Sequence, residues 1–355
     1  MNSNKHILLT IDVEDWFQVE NFKPWIPFST WDQRELRVER NVHRLLDLFD
    51  SIELNTQGNE LNQLNQPSNI SEAYLFDSCE VAGKPGSLEV SDPQPIPINK
   101  QRTAPNKQQT TDHIQTKKIK ATFFVLGWLV DRFPNIVREI QSRGHEIASH
   151  GCCHELPEFL SADELKQDLT DSKKLLEDIT GAPISGYRAP SFAINDDILK
   201  IIEDAGYLYD SSYNSFGLHG RYGRISLNGT CKKGVAHKIS DNFFELPISN
   251  LMINGWVLPW GGGGYFRLAP YQLFRYGVKV ILKKNDAYIF YMHPWELDPN
   301  QPSVKNASMN YKFRHYTNLN KTKSRLKRLI ENFDQCRFVT CNEYLFLTTS
   351  SGLHG

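Results

Sequence analysis

Short apolar runs alternate with amphipathic helical patterns along most of this chain of 355 residues. Residues 6–11 form the first run, and residues 34–49 follow it with Val38, Val42 and Leu45 on one stripe of a helix. The later predicted strands lie at residues 119–127, 145–149, 186–188, 207–209, 243–248 and 287–292, and helical patterns between them occupy 131–143, 161–181 and 195–206. This order predicts an α/β fold with a parallel sheet, open or closed into a barrel.

The charge balance argues against a nucleic-acid-binding protein. The chain has 40 Lys and Arg residues against 41 Asp and Glu residues, a formal net charge of -1, so there is neither a basic footprint for nucleic acid nor an attraction to anionic lipid. The first residues lack a signal-peptide pattern, and no apolar stretch is long enough to cross a bilayer. The six cysteines show no paired C-x-x-C spacing, which is typical of reduced thiols. We therefore expect a cytoplasmic protein without an integral membrane segment.

One segment interrupts the alternation of strands and helices. Residues 55–116 are rich in Asn, Gln, Ser and Pro and contain few aromatic residues. Such a composition buries too little apolar surface to offset the entropy lost on ordering. The sequence predicts a low-complexity, disordered insertion between the first helix and the second strand.

Two histidines in Ser-His-Gly-Cys-Cys-His directly follow a predicted strand. His150 and His154 are four residues apart, on one face of a helix or in a tight loop. Imidazole nitrogens suit zinc, and a catalytic zinc has three protein ligands and an open position for water. The alternative is two unrelated polar histidines, since this spacing is common by chance.

Three carboxylates follow the first strand, at Asp12, Glu14 and Asp15. One of them can complete a His–His–carboxylate metal site, and another can act as a general base. The alternative is a solvated acidic turn or a helix N-cap.

Three further candidates each follow a later strand. Arg188, in Arg-Ala-Pro-Ser-Phe, favours the ionised form of a neighbouring Asp, and the alternative is a surface salt bridge. His293, in Tyr-Met-His-Pro-Trp, can protonate a leaving amine, whereas a histidine in this setting is also consistent with packing. Asp210 is a further catalytic candidate, with a simple turn as its alternative.

What these polar residues share is their position at the C-terminal ends of predicted strands. In an α/β barrel those ends converge on one face, where active sites are built. Unrelated surface groups are expected at both ends of the strands. The sequence therefore predicts a single site at the C-terminal face.

At these residues the sequence resembles the polysaccharide deacetylase family with its NodB-homology domain. Thr-Ile-Asp-Val-Glu-Asp resembles the first motif, Ser-His-Gly-Cys-Cys-His the metal-binding pair, Arg-Ala-Pro-Ser-Phe the third motif, and the strand before His293 the last motif. The likeness runs from about Lys5 to Glu296, interrupted by the insertion. The chain is similar to the subgroup of this family that is found beside exopolysaccharide synthesis and export genes. That subgroup has a C-terminal extension, which here spans about residues 211–347.

The resemblance implies a fold and a set of roles. The fold is a distorted seven-stranded (β/α) barrel. Asp12 is the base, Arg188 supports it, and His293 is the acid. His150 and His154 bind the metal together with Glu14, which shares a strand face with Asp12, or with Asp15, because the usual Asp-Asp pair is replaced here. The metal is expected to be Zn²⁺, with Co²⁺ or Ni²⁺ able to substitute.

The resemblance also implies a division of the chain and a substrate. The expected barrel comprises residues 1–54 and 117–300, and residues 301–355 form a C-terminal helix, strand and tail. The expected activity is removal of N-acetyl groups from a polysaccharide or its oligosaccharide precursor, in association with exopolysaccharide synthesis machinery. Trp16, Trp260 and Tyr265 are expected to stack on sugar rings. Two alternatives are an amidohydrolase acting on a small non-sugar C–N substrate and an inactive carbohydrate-binding protein of an export system.

Overall fold

The computed structural model of the chain describes residues 5–54, 118–217, 220 and 222–350. The predicted disordered insertion at 55–116 lies outside the described residues. The strands are β1 (His6–Val13), β2 (Ala121–Val125), β3 (Glu146–Ser149), β4 (Gly186–Tyr187), β5 (Tyr209–Asp210), β6 (Cys231–Lys233), β7 (Ala236–Lys238), β8 (Phe244–Glu245), β9 (Asn250–Ile253), β10 (Trp256–Pro259), β11 (Ala287–Met292) and β12 (Arg337–Phe338). The helices are α1 (Val38–Asp50), α2 (Gly127–Val130), α3 (Pro134–Ser142), α4 (Ala162–Thr180), α5 (Asp196–Asp204), α6 (Gly263–Leu268), α7 (Tyr271–Lys284), α8 (Met309–Tyr316), α9 (Leu319–Asn332) and α10 (Cys341–Ser350).

Seven parallel strands of the described chain form a curled sheet in the order β11-β1-β2-β3-β4-β5-β8. Beyond β8 the sheet continues with the antiparallel strands β7 and β6, and β12 pairs with the start of β1. The chain after β8 returns to β11, where the Ser249 N–H donates to the Ile289 carbonyl at 3.4 Å and Gly262 bridges to Tyr291. The predicted distorted seven-stranded barrel is confirmed, with closure made by loop segments.

Strand β1 shows how the sheet directs its side chains. Alternate residues point to opposite faces, so Ile7, Leu9 and Ile11 join the core beneath the helices. Leu8 packs in the second, smaller core with strand residues on the other face. Asp12 has the same parity as Leu8, and it is buried with 2% of its surface exposed. The period of two therefore places the Asp12 carboxylate on the inner face, at the C-terminal end of the strand.

Two predicted helices differ from the observed ones at their starts. The helix predicted at 34–49 begins at Val38, because the Asp15 carboxylate accepts the backbone N–H groups of Arg37 and Val38. The helix predicted at 131–143 begins at Pro134, as expected of a residue that has no N–H to donate. Ser161 is the N-cap of α4, and Asn195 is the N-cap of α5.

No helix within the described ranges combines the length and the apolar character needed to cross a bilayer.

Candidate active site

Glu14, His150 and His154 meet at the C-terminal face of the sheet. Glu14 Oε1 lies 3.0 Å from Nε2 of His150 and 3.0 Å from Nε2 of His154. One donor atom from each of the three residues lies within 4.8 Å of the others, and all three side chains are buried. The structure therefore brings together the two histidines and one of the two acids that the sequence predicted as ligands.

The donor set of this cluster fits a divalent cation. His150 Nδ1 lies 2.7 Å from the Arg188 carbonyl, which can only accept a hydrogen bond, so Nδ1 carries a proton. In neutral His150 the Nε2 lone pair then faces the Glu14 carboxylate, an arrangement that is repulsive unless a cation or a proton lies between them. Burial alone raises the pKa of Glu14, but the positive charges of His154 and His293 hold it well below its ordinary value.

The loop from 150 to 154 has a strained backbone. Gly151 has a φ of 74°, and a Cβ there would lie 2.8 Å from Oδ2 of Asp168. His154 itself has a φ of 57°, which is uncommon for a residue other than glycine. The Asp168 carboxylate accepts the Cys152 N–H at 3.1 Å and so fixes the loop. Asp168 was missed by the sequence reasoning, since it lies within a regular helical pattern.

Asp15 is not part of the cluster, so the prediction that it is an alternative metal ligand is wrong. Its Oδ2 accepts the Arg37 N–H at 2.6 Å and the Val38 N–H at 2.9 Å, and its Oδ1 accepts the Trp16 N–H at 2.8 Å. Burial raises the pKa of Asp15 to about 6 despite these donors. The N-cap residue of α1 is Arg37, and the Asp15 carboxylate accepts the N–H groups at the start of this helix from a segment 22 residues earlier.

Asp15→Ala should leave metal binding intact and destabilise the fold. The variant leaves buried backbone N–H groups without an acceptor, and we expect the free energy of unfolding to fall by about 2 kcal/mol. Denaturant titration and metal analysis of the same samples test this. Asp15→Asn is the comparison variant, because its amide oxygen can still accept the Arg37 and Val38 N–H groups and only the acceptor for the Trp16 N–H is lost. Loss of the ion in both variants would contradict the assignment.

Asp12 and Arg188 form a buried ion pair beside the cluster. Arg188 Nη1 donates to Asp12 Oδ1 at 2.7 Å and to the Thr10 hydroxyl at 2.8 Å. Its other nitrogens donate to the backbone carbonyl and the hydroxyl of Ser211, both at 2.9 Å. The guanidinium is fully buried, so its geometry fixes the orientation of the Asp12 carboxylate.

His293 lies on another side of the cluster. Its Nε2 is 3.8 Å from Glu14 Oε1, and its Nδ1 is 3.1 Å from Oε1 of Glu296. Arg267 donates to the other Glu296 oxygen at 2.7 Å. Burial lowers the pKa of His293, but the charges of Glu14 and Glu296 outweigh it and raise the pKa to about 9. Glu296 was not predicted from the sequence, although it stands three residues after His293 on a short 3₁₀ turn.

Glu296→Gln should shift the alkaline limb of the kcat/KM profile to lower pH. Glu296 raises the pKa of His293, so removing its charge should shorten the pH range in which the imidazole holds a proton. A cation held by Glu14 would offset the charge of that carboxylate. The effect of Glu296 on the pKa of His293 would then remain when the metal is bound. The measurement is a pH–rate profile of both proteins, and an unmoved alkaline limb would show that Glu296 does not tune His293.

Asp210 does not line this cleft, and its predicted catalytic role is not supported by its position. It is fully buried and accepts the hydroxyl and the N–H of Ser212 at 2.6 and 2.9 Å. It is paired with Glu245 in the β5–β8 ladder. Burial and the Asp210 charge raise the pKa of Glu245 well above its ordinary value. Ser212 in turn accepts the Ala189 N–H at 2.8 Å, so Asp210 braces the turn after Arg188.

The cluster opens into a cleft of about 140 Å³. Tyr265 lines this cleft, the position that a residue predicted to stack on a sugar ring must have. Trp16 does not line the cleft and is buried, and Trp260 instead stacks on Phe274 and donates to its carbonyl at 2.9 Å. The other residues that line the cleft are Asp12, Glu14, Val19, Glu20, Asn21, His150, His154, Ser191, Phe192, Tyr222, Gly264, Arg267, Leu268, Tyr291, His293, Trp295, Glu296, Arg314 and His315.

Fold and site together define a class of protein. It is an α/β barrel with a candidate His–His–carboxylate metal centre, a buried Asp–Arg pair and a carboxylate-bound histidine at the C-terminal ends of its strands. Residues 100–209 match the family Polysaccharide deacetylase, and residues 211–345 match a Domain of unknown function, DUF3473. Residues 100–209 are therefore identified as a polysaccharide deacetylase domain, and the second match confirms the C-terminal extension predicted at about 211–347.

Curated relatives carry related names. A peptidoglycan-N-acetylglucosamine deacetylase of Bacillus cereus is 35% identical over 99 residues, which cover 28% of this chain and 46% of that protein. A chitooligosaccharide deacetylase of Azorhizobium caulinodans is 31% identical over 87 residues, 24% of this chain and 41% of that protein. The chain spans less than half the length of either relative.

A solved structure shares the fold over nearly the whole chain. The crystal structure titled "putative polysaccharide deacetylase from Mycobacterium smegmatis" superposes with a TM-score of 0.54 at 17% identity. The alignment covers 99% of this chain and 92% of that one. At this identity the likeness concerns the fold alone.

Proposed function

We propose that this protein is a metal-dependent hydrolase that removes N-acetyl groups from a polysaccharide or its oligosaccharide precursor. The observation that carries the proposal is the arrangement around Glu14. The Asp12 carboxylate, held by Arg188 at 2.7 Å, and the His293 imidazole, held by Glu296 at 3.1 Å, both line the cleft into which the His–His–Glu cluster opens. A base and an acid beside a metal site are what amide hydrolysis requires.

Glu14, His150 and His154 would hold the metal. Two imidazoles and one carboxylate suit Zn²⁺, and Co²⁺ or Ni²⁺ can substitute. Held by these residues, the ion would supply Lewis acidity and would lower the pKa of a water molecule from about 15.7 to about 7. His150 is oriented for this task by its Nδ1–H, which donates to the Arg188 carbonyl at 2.7 Å.

The remaining chemistry belongs to side chains of this chain. Asp12 accepts a proton from the water that attacks the acetyl carbonyl. The ion pair with Arg188 keeps the carboxylate in one orientation while it does so. His293 donates a proton from Nε2 to the departing sugar amine, and Glu296 holds Nδ1 so that Nε2 faces the cleft. The products are acetate and a free amine.

The domain division, cellular setting and pathway are part of this proposal. We assign the barrel to residues 1–54 and 117–300 and the C-terminal helix, strand and tail to 301–355. A cytoplasmic enzyme that serves exopolysaccharide biosynthesis is consistent with the resemblance that the sequence carries. The relatives named for peptidoglycan and chitooligosaccharide deacetylation support an N-acetylated sugar as substrate.

A substrate panel separates this function from the alternatives. Zinc-loaded protein is incubated with chitotetraose, with polymeric chitin fragments, and with small linear and cyclic amides, and acetate or amine release is measured. We expect release from the acetylated sugars only. Turnover of a small amide alone would favour a general amidohydrolase, and binding of sugars with no turnover would favour an inactive binding protein.

A further inference from the structure

One wall of the cleft comes from the C-terminal extension. Tyr265 of α6 and Arg314 of α8 both line the cleft with Asp12 and His293. Helix α8 is held in place because Arg267 Nη2 donates to the Arg314 carbonyl at 3.0 Å. The network that orients His293 through Glu296 therefore also fixes the backbone that carries Arg314.

The charge of Arg314 is not balanced by the described part of the chain. Three carboxylates of the cleft have a close partner: Asp12 pairs with Arg188, Glu14 with His150 and His154, and Glu296 with Arg267. The fourth, Glu20, lies 3.9 Å from His154 Nδ1 through its Oε2, which has no hydrogen-bond partner among the described residues. No described carboxylate lies within 4.0 Å of the Arg314 guanidinium. A half-buried cation in a cleft without a counter-ion is unusual, since burial of an unpaired charge is costly.

The sequence around Arg314 is strongly basic. Residues 299–330 contain eight Lys and Arg residues and no Asp or Glu. Of these eight basic residues, Arg314 is the one that lines the cleft. The whole chain is nearly neutral, so this basic stretch is a local feature.

Arg314 lines the same cleft as Asp12 and His293, the proposed reacting groups. Burial raises the pKa of Tyr265, and the nearby Arg314 charge lowers it. Burial raises the pKa of Tyr291, and the charges of Tyr265 and Asp12 raise it further. The Tyr291 hydroxyl lies 3.2 Å from that of Tyr222. Asp12, Tyr291, Tyr265 and the Arg314 guanidinium thus all line one cleft, in which Tyr265 can stack on a sugar ring.

We propose that Arg314, with Tyr265, forms a subsite for an anionic group on the acetylated sugar. The inference rests on the proposed function and names the class of substrate: an acidic saccharide. A guanidinium fork binds a carboxylate or a phosphate through two parallel hydrogen bonds. The anion is either the carboxylate of a uronic acid residue or the phosphate of an activated sugar.

Three substrates test the subsite. They are a tetrasaccharide of alternating N-acetylglucosamine and glucuronate, UDP-N-acetylglucosamine, and the neutral, fully N-acetylated chitotetraose. Acetate release and the Kd from calorimetry are measured for wild type, Arg314→Gln and Arg314→Lys. Lys166→Gln is the matched control, because it removes one exposed positive charge from α4, outside the cleft.

We expect the wild-type protein to prefer an anionic substrate over chitotetraose. Arg314→Gln should lower that preference in kcat/KM and in 1/Kd by at least about 10-fold, the factor that corresponds to 1.4 kcal/mol. Arg314→Lys should restore part of it, since Lys keeps the charge and lacks the fork. Lys166→Gln should keep the wild-type preference. The tetrasaccharide and the nucleotide sugar show which anion is recognised.

Equal preference in wild type and Arg314→Gln, or an equal loss in Lys166→Gln, would overturn the subsite. The calorimetric arm separates this outcome from failure of the proposed function. No acetate from any substrate, with an intact Arg314-dependent difference in Kd, would refute deacetylation and leave the anion subsite standing.

Discussion

Asp12→Asn should lower kcat for acetate release by at least about 100-fold, the lower end of the range for general base catalysis. The amide keeps the shape of the side chain and an oxygen for the Arg188 hydrogen bond, which is 2.7 Å long in the wild type. It cannot accept a proton from water at neutral pH. The loss should appear in kcat, since the proton moves in the chemical step.

Metal content and stability decide whether that loss is specific. The variant should bind the same amount of zinc as wild type, because Asp12 is not among the clustered ligands. It leaves the Arg188 charge without its partner, so some destabilisation is expected and is measured by denaturant titration at the assay temperature. Asp163→Asn, at an exposed site in the first turn of α4, is the control for loss of one carboxylate. Near-wild-type acetate release by metal-loaded Asp12→Asn would exclude Asp12 as the base.

Alanine substitution of Glu14, His150 or His154 should weaken zinc binding by more than about 100-fold. Loss of an outer partner of a metal ligand alone costs 10- to 100-fold in affinity, and these three side chains are the ligands themselves. Each variant should lose acetate release in parallel with its metal. Equilibrium dialysis against a competing chelator gives the affinities, and Asp15→Asn is the control that keeps the metal.

The affinity for zinc should also rise with pH. Burial lowers the pKa of His154, but the Glu14 carboxylate outweighs it and the net pKa is raised. A proton therefore competes with the metal for this imidazole, and it is released on binding. As pH rises through that pKa, less proton is bound to the free protein and the metal binds more tightly. A flat pH profile would show that His154 is not a ligand.

The positions of the central residues follow from local patterns. A period of two along β1 places Asp12 inside, and the end of the strand places Glu14 just beyond it, at the face where β3 delivers His150. Parallel pairing of β1, β2 and β3 then brings the motifs together. Strand parity and the C-terminal-face rule were enough for this part of the site, and they require no knowledge of distant contacts.

The remaining parts of the site depend on contacts between residues distant in sequence. The choice between Glu14 and Asp15 was decided by the start of α1, where Arg37 and Val38 supply the N–H groups that Asp15 accepts. Glu296 gained its role from Arg267, 29 residues away, on a different element. Likewise the burial of Asp210 against Glu245 comes from the β5–β8 pairing. Periodicity does not report such pairs.

The measurement that tests the central claim most directly is the stoichiometry of products from chitotetraose with and without metal. Protein stripped with a chelator is compared with the same sample after zinc is restored, and acetate and free amine are quantified together. We predict equal amounts of acetate and amine from the zinc-restored protein and neither product from the stripped protein. Turnover that survives removal of the metal, or acetate released without a matching amine, would contradict a metal-dependent N-deacetylase.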